Sequence, residues 1–551
     1  MVLGRITRRI FRSTPPISKD GPSGTILTHR VDISNLLPPV RRVSSFKFNK
    51  RTSYVPCLQL LLTVWTADVT VNILPDDLLL RTFHFVRVTH LHGLEDDRVI
   101  SLDGLEDVEP VWRLPWWYQL IHVCQKWRSV VFAAPTFLDL RLVCGPRTRV
   151  ELTSIWPPFP IIIRSMVDWP MPEDYDFNAA IVRNDRVSVI SLFQPTSSQL
   201  QRLSSAMQEQ FPELMHLALY FNGNNIRRAP ALPNGFLGGS APRLQYLMLH
   251  SIPFPALPTL LLSATHLVHL TLQRIPHSGY FSPKVIVTSL AVSTNLKSLT
   301  IEFESPLSRP SHESRHPPPL TRIVFPALTH FQFKGVSEYI EDLVAQIDAP
   351  SLDSIWITFF HQLLFDIPQL AQFVRRTTRF QEPNEVHVDF DQHGVNVNSL
   401  PSTWTKGGKS GLRISCRELE RQLSSLAQVF TSLFPSIHMV KYLYIYGPQY
   451  SPLQWRDDIN NMQWVDFFHP FATLKNLYLS NVVALGIAPT LRELGRDGMT
   501  GVLPILQKIF LEPWPSRPVT EAIGHLSAAR HHRVTVSRWN GKRSALLGQF
   551  S

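Results

Sequence analysis

Two short segments hold residue types that could do chemistry. Gly407-Gly408-Lys409-Ser410 ends like a phosphate-binding loop, in which glycine amides and a lysine hold phosphate groups. Thr403, however, stands where that motif needs its first glycine, and no apolar strand leads into the segment. Residues 93–110 contain seven acids, but the order of Asp, Asn, Gly and closing Glu that forms a calcium loop is missing. We expect a flexible loop at the first segment and a solvated acidic loop at the second.

The sequence contains no convincing motif for a metal site or for a catalytic nucleophile. His525, His531 and His532 have no nearby ligand set with metal spacing, so a basic surface is the expectation there. Four cysteines are too few and too scattered for a disulfide framework or a zinc site. We therefore predict no metal, no cofactor and no catalysis. A hydrolase or transferase within residues 360–470 stays an alternative, which a pocket joining nucleophile, base and oxyanion donor would support.

The positive charge is concentrated at the start of the chain. The formal net charge is +11, but residues 1–72 hold eleven Lys and Arg against three acids, which leaves the rest nearly neutral. Residues 1–56, interrupted by prolines and glycines, predict a disordered basic leader rather than a nucleic-acid site. The first twelve residues also resemble a mitochondrial transit peptide, which stays open as an alternative.

Membrane insertion and secretion are not indicated. No run of 18 apolar residues exists, so no membrane partner is expected. The few cysteines and the absence of Asn-x-Ser/Thr sequons favour a reducing compartment. We expect a cytoplasmic or nuclear protein.

Two amphipathic helices are predicted early in the chain, and they would position any functional side chains there. Residues 73–90 predict a helix in which Pro75 suits the first position, and Asp76 and Asp77 suit the positive end of the dipole. A second helix is predicted from Trp117 to Ala134, where Pro135 stops it. Its apolar stripe comprises Leu120, Val123, Cys124, Trp127, Val130 and Val131. Leu138–Leu142 then alternates like a strand.

From about residue 210 the pattern leucine, two residues, leucine, one residue, leucine recurs. Starting positions are mostly 23 to 34 residues apart. This period is typical of leucine-rich repeats, in which each unit adds one short strand to a shared core. The clear copies begin at Leu214, Leu244, Leu267, Leu296, Leu328, Leu352, Val440, Leu474 and Leu506, with a weaker one at Pro383. An amphipathic segment, Arg413 to Phe434, predicts a helix before Val440.

The two helical segments resemble an F-box. Ile73-Leu74-Pro75-Asp76-Asp77-Leu78-Leu79-Leu80-Arg81-Thr82-Phe83 and Val123-Cys124-Gln125-Lys126-Trp127-Arg128 are similar to the family's Leu-Pro-acid start and its Val-Cys-x-x-Trp-Arg close. The chain also resembles fungal F-box proteins with degenerate leucine-rich repeats. The acidic insertion 93–110 and the basic leader depart from that pattern.

The resemblance implies a fold and a role. The fold class is α/β, with a helical F-box-like domain at 57–143, a proline-rich connector and the start of the array at 144–209, and an irregular leucine-rich-repeat solenoid at 210–551. The implied function is a non-catalytic substrate receptor that binds a Skp-type adaptor of a cullin ubiquitin ligase. The residues expected to bind the adaptor are Leu74, Pro75, Leu78, Leu79, Phe83, Val123, Cys124, Trp127 and Val130. The alternative is a repeat scaffold without a ligase role, whose helices pack against the array.

A protein substrate is expected on the concave face of the solenoid. Side chains alternate along a strand, so residues between the apolar positions point away from the core. The residues between the last two apolar positions are small or polar in the early repeats and aromatic in the late ones, so we expect the early half of the concave face to be small or polar and the late half to be aromatic. The predicted substrate residues are Trp356, His387, Tyr442, Tyr444, Tyr446, Tyr478 and Phe510. The alternative is that a C-terminal cap or the Arg413–Phe434 helix buries these rings.

Overall fold

The structure is a computed structural model, and its described residues all lie within Val71–Ser551. They are 74–92, 117–145, 158–165, 170–222, 229–310, 321–360, 367–377, 380, 383–390, 395–401, 411–416, 422–433, 437–447, 461–495, 501–512, 516–530 and 533–539. The predicted leader, the acidic insertion 93–110 and the loop 407–410 lie outside the described residues.

Three helices form the first part. They are α1 (Asp76–His92), α2 (Tyr118–Ile121) and α3 (Gln125–Ala133). Helix α1 begins directly after Pro75 with Asp76 and Asp77 in its first turn, where the charges complement the helix dipole. Helix α1 thus confirms the first predicted helix.

The prediction of one continuous helix from Trp117 to Ala134 is wrong. The backbone of Cys124 is extended, with φ −158° and ψ 172°, and it separates α2 from α3. The Cys124 Sγ accepts a hydrogen bond from the Trp127 amide at 3.4 Å, so this residue caps α3. A cap in extended conformation ends one helix and starts the next, which an apolar stripe does not reveal.

One sixteen-stranded sheet follows the helices, and the described strands begin before residue 210. In chain order the strands are β1 (Leu142–Cys144), β2 (Ile161–Arg164), β3 (Val187–Phe193), β4 (His216–Tyr220), β5 (Tyr246–His250), β6 (His269–Ile275), β7 (Ser298–Phe303), β8 (Ile323–Val324), β9 (His330–Gly335), β10 (Ile347–Asp348), β11 (Ser354–Phe359), β12 (Pro383–Phe390), β13 (Val395–Pro401), β14 (Gly411–Cys416), β15 (Tyr442–Tyr446), β16 (Asn476–Leu479), β17 (Lys508–Leu511) and β18 (Thr535–Arg538). Strands β8 and β10 form a separate parallel pair. Of the predicted strand Leu138–Leu142, only Leu142 enters a strand.

The leucine pattern produces the same turn and strand in each unit. The amide of the first leucine closes a turn, as between Leu214 and the Phe211 carbonyl at 3.1 Å and between Leu244 and Ala241 at 3.2 Å. Pro212 and Pro242 occupy the second turn position, where a fixed φ is favourable. The apolar residues of all nine clear copies are buried. The repeat prediction is therefore confirmed.

Helices pack on one face of the sheet. In chain order they are α4 (Phe177–Ile181), α5 (Ser197–Ala206), α6 (Leu257–Ser263), α7 (Pro283–Leu290), α8 (Ser337–Val344), α9 (Pro368–Arg376), α10 (Gln422–Leu433), α11 (Asn461–Phe468), α12 (Asn481–Glu493) and α13 (Arg517–Ala529). The predicted helix from Arg413 is wrong at its start, because Arg413 to Cys416 belong to β14 and α10 begins at Gln422.

The regular order of strands breaks in the middle of the sheet. β12, β13 and β14 form an antiparallel meander, and β14 pairs in parallel with β11 while β12 pairs in parallel with β15. The spatial order is therefore β11-β14-β13-β12-β15. Only β12 among these strands had been predicted, because β13 and β14 carry alternating residues without the leucine spacing.

The described residues form two separate hydrophobic cores. The smaller one joins α1–α3 to Leu138, Leu140, Leu142 and Phe159, and the larger one runs under the sheet. The buried guanidinium of Arg186 donates to the Phe159 carbonyl from Nε at 3.0 Å and from Nη2 at 2.8 Å, which links the two. In the part of the chain that the structure describes, every helix is too short or too polar to cross a bilayer.

Candidate functional site

The face of the sheet opposite the helices, which we call the open face, carries three rows of side chains. Positions in register with Tyr246, Met248 and His250 of β5 form the first, middle and last rows. Because the side chains between these positions point into the buried core, the rows are the part of the sheet on which a partner could rest.

The late strands align four of the predicted rings in the middle row. His387 stacks on Tyr444 with ring centroids 4.3 Å apart, and Tyr444 stacks on Tyr478 at 4.1 Å. Tyr478 stacks on Phe510 at 4.3 Å. The parallel register of β12, β15, β16 and β17 places one ring per strand, so adjacent rings meet face to face. We call these four residues the aromatic ladder.

A C-terminal ring covers part of the aromatic ladder. Trp539 follows β18, and its ring centroid lies 5.5 Å from Tyr478, 6.0 Å from Tyr444 and 5.5 Å from Tyr446. Trp539 could not be predicted from the repeat pattern because it follows no leucine triplet. The alternative of a C-terminal segment that covers the predicted rings is thus partly correct. Tyr444, Tyr478 and Phe510 nevertheless remain half-buried rather than buried.

The remaining predicted substrate residues differ in their burial and in their position on the sheet. His387 and Tyr446 are buried, so little of either ring is open to a partner. Trp356 is half-buried, but β14 and β13 stand between it and His387. Tyr442 lies in the first row, in register with Glu385 and Asn476.

Burial controls the ionisation of the ladder tyrosines. Desolvation raises the pKa of Tyr444 far above its usual range, and the charge of Glu385 adds to this effect. Burial likewise raises the pKa of Tyr478. Both hydroxyls are therefore neutral at physiological pH, and the aromatic ladder offers uncharged rings with polar tips.

The prediction that the early half of this face is small or polar is wrong. It considered only the middle row, whereas rings occupy the first and last rows. In the last row Phe193 stacks on Tyr220 at 4.5 Å and Tyr220 on His250 at 3.9 Å. In the first row His216 stacks on Tyr246 at 4.2 Å. Alternation along each strand was the signal that could have found them.

The predicted adaptor residues separate into an interior set and a surface set. Leu79, Phe83, Trp127 and Val130 are buried in the smaller core, where the Phe83 and Trp127 rings meet edge to face at 4.9 Å. Leu78 is 46% exposed and Val123 is 51% exposed, and Pro75 is also exposed. Leu74 and Cys124 are half-buried.

One further exposed ring lies on α1. Phe85 is 55% exposed and follows Leu78 by seven residues, which places both on one face of the helix. Phe85 was not predicted as a surface residue because Phe83 already satisfied the apolar period of the helix. Lys126 holds α3 against the start of α1 by donating to the Leu74 carbonyl at 2.7 Å. Leu78 and Phe85 are therefore displayed on a braced helix.

The described residues contain no group of three or more His, Cys, Asp or Glu side chains that could hold a metal ion. Comparison with protein-family models gives no match, and comparison with curated proteins gives none either. Among solved structures, this chain is similar to the leucine-rich repeat-containing protein LegL7 from Legionella pneumophila at 14% sequence identity and a TM-score of 0.24. The match covers 71% of this chain and 97% of that one.

Proposed function

We propose that this chain is a non-catalytic substrate-recognition subunit of a cullin-type ubiquitin ligase. Its helices α1–α3 would bind a Skp-type adaptor, and the open face of its repeats would hold a protein substrate. The support from sequence is the F-box-like pattern that begins at Leu74-Pro75 and ends at Trp127-Arg128.

The observation that carries the proposal is the apolar surface of the helical part. Leu78, Phe85 and Val123 each keep about half of their surface exposed although a formed core lies directly beneath them. Leu78 and Phe85 share one face of α1, and exposed apolar groups on one face of a folded unit are typical of protein interaction sites. The separation of this small core from the repeat core further suits a unit with its own partner.

The burial of Trp127 decides how adaptor binding is tested. Removing a buried ring would damage the fold, so loss of binding by such a variant would be uninformative. We instead choose Leu78→Glu with Val123→Glu, which changes exposed side chains only. The double variant should stay folded and lose pull-down of a purified Skp-type adaptor.

Leu262→Glu is the matched control, because Leu262 is a similarly exposed leucine on α6 in the repeats. This control should bind the adaptor like the unaltered protein. Normal adaptor binding by the folded double variant would refute the assignment.

We place the substrate at the aromatic ladder. Large rings at the centre of an interface often contribute about 2 kcal/mol or more to binding. Tyr444→Ala with Tyr478→Ala should lose substrate, identified by affinity purification and mass spectrometry, while adaptor binding persists. Unaltered substrate capture by the folded double variant would remove the site.

A repeat scaffold without a ligase role is the second candidate. The burial of Leu79, Phe83, Trp127 and Val130 favours it, because these residues already have an internal structural use. Affinity purification of the full chain distinguishes the two candidates. Recovery of partners without a Skp-type adaptor or cullin would favour the scaffold.

A further inference from the structure

The early half of the open face carries two columns of rings with smaller side chains between them. One wall, in the first row, is His216, Tyr246 and His269, and the other, in the last row, is Phe193, Tyr220 and His250. The floor is formed by smaller middle-row side chains, Ser191, Ala218 and Thr271, with Met248 between them. We call this feature, across β3–β6, the trough.

Cations surround the trough. The described charges that bear on its histidines are Arg164 at His216, Arg274 at His250 and Lys297 at His269. Glu302, on the neighbouring strand β7, already accepts a hydrogen bond from the Gln332 amide at 2.7 Å. His216 and His250 add no charge of their own at neutral pH, because burial lowers the pKa of each to about 4. The rim is therefore positive around a neutral wall.

Ring stacking limits what the trough can bind. The His216 and Tyr246 rings are 1° from parallel, and the Phe193 and Tyr220 rings are 4° from parallel. Their faces cover each other, so nucleic-acid bases find few faces on which to stack. The His250 Nδ1–H already donates to the Phe221 carbonyl at 3.2 Å and the Tyr246 hydroxyl to the Met248 Sδ at 3.6 Å, so the columns offer mainly ring edges to a partner.

We propose that the trough is a second docking surface and that its partner is an extended acidic peptide segment. Four strands spaced about 4.8 Å apart give room for about four or five extended residues at about 3.3 Å each. Carboxylates of the peptide meet Arg274 and Lys297 at the rim, and its backbone lies along the ring edges. This surface is distinct from the aromatic ladder and does not depend on a ligase role for the chain.

The test uses a fluorescein-labelled copolymer of glutamate and tyrosine as the probe, with fluorescence anisotropy of the full chain as the readout. Arg274→Glu with Lys297→Glu reverses two exposed rim charges and should weaken probe binding about tenfold or more, as reversal of complementary charges does. The charge-matched control is Lys441→Glu with Lys475→Glu. Lys475 precedes its strand as Lys297 precedes β7, and Lys441 precedes β15 in the same way.

The proposal holds if the control variant binds the probe within about twofold of the unaltered protein while the rim variant does not. An equal loss in both variants, or no binding by the unaltered protein, would overturn it. Displacement of the probe by a single-stranded thymidine oligonucleotide at a lower concentration than by unlabelled copolymer would also overturn it, in favour of nucleic acid. Adaptor pull-down is measured separately, so failure here leaves the ligase proposal untouched.

Discussion

Acidification should destabilise the protein through His250. This residue is buried, its Nδ1–H donates to the Phe221 carbonyl at 3.2 Å, and the nearby charge is Arg274. Burial lowers the pKa of His250 from 6.5 to about 4. Between pH 6.5 and pH 4, His250 is therefore protonated in the unfolded chain but neutral in the folded chain. The free energy of unfolding consequently falls as the pH drops from 6.5 toward 4. The loss is about 2 kcal/mol at pH 5 and about 3 kcal/mol below pH 4.

The measurement is urea unfolding followed by circular dichroism at pH 7 and at pH 5. His250→Gln cannot titrate, so the variant should lose about 2 kcal/mol less than the unaltered protein across this interval. His266→Gln, which removes an exposed histidine near the same strands, is the control and should follow the unaltered protein. Equal losses by the unaltered protein and His250→Gln would refute the reasoning.

Three further outcomes are expected. Trp127→Ala should destabilise α1–α3 by about 3–5 kcal/mol, because its ring fills the smaller core; an unchanged urea midpoint for these helices would contradict this. Glu341→Ala should cost about 1–2 kcal/mol, since its carboxylate accepts from the Gln369 amide at 2.9 Å and the Leu370 amide at 2.8 Å at the first turn of α9; faster amide exchange at those two residues is the check. Burial raises the pKa of Cys144 to about 11, so iodoacetamide at pH 8 should modify it far more slowly in the folded than in the unfolded protein, and equal rates would count against its burial.

The repeats could be predicted because their pattern is local. A leucine triplet specifies which side chains of one strand face the core, and each copy, such as Leu217 with Leu219, repeats that information. The strands before residue 210 lack the triplet. Ile161 to Ile163 is instead a continuous apolar run, and two serines interrupt the apolar residues of Val187 to Leu192, so neither segment shows the spacing of a repeat unit.

Long-range pairing and surface exposure were harder to predict. Nothing near β14 indicates that it pairs with β11 instead of the next repeat, since register is a property of two distant segments. In the helical part, Leu78 and Leu79 are equally apolar, yet one is half exposed and the other buried. The resemblance could not separate them, because core and interface use the same residue types.

The antiparallel meander has a consequence for how the chain folds. In a regular repeat array each unit forms on the one before it, so order spreads from neighbour to neighbour. Here β12 cannot pair with β11, because β14, which follows β12 in the sequence, occupies that edge of β11. Order spreading from β1 must therefore stop at β11 until a distant segment has closed a long loop, which is slow. We therefore expect the pairing of β14 with β11 to be a slow step when the unfolded chain refolds from urea.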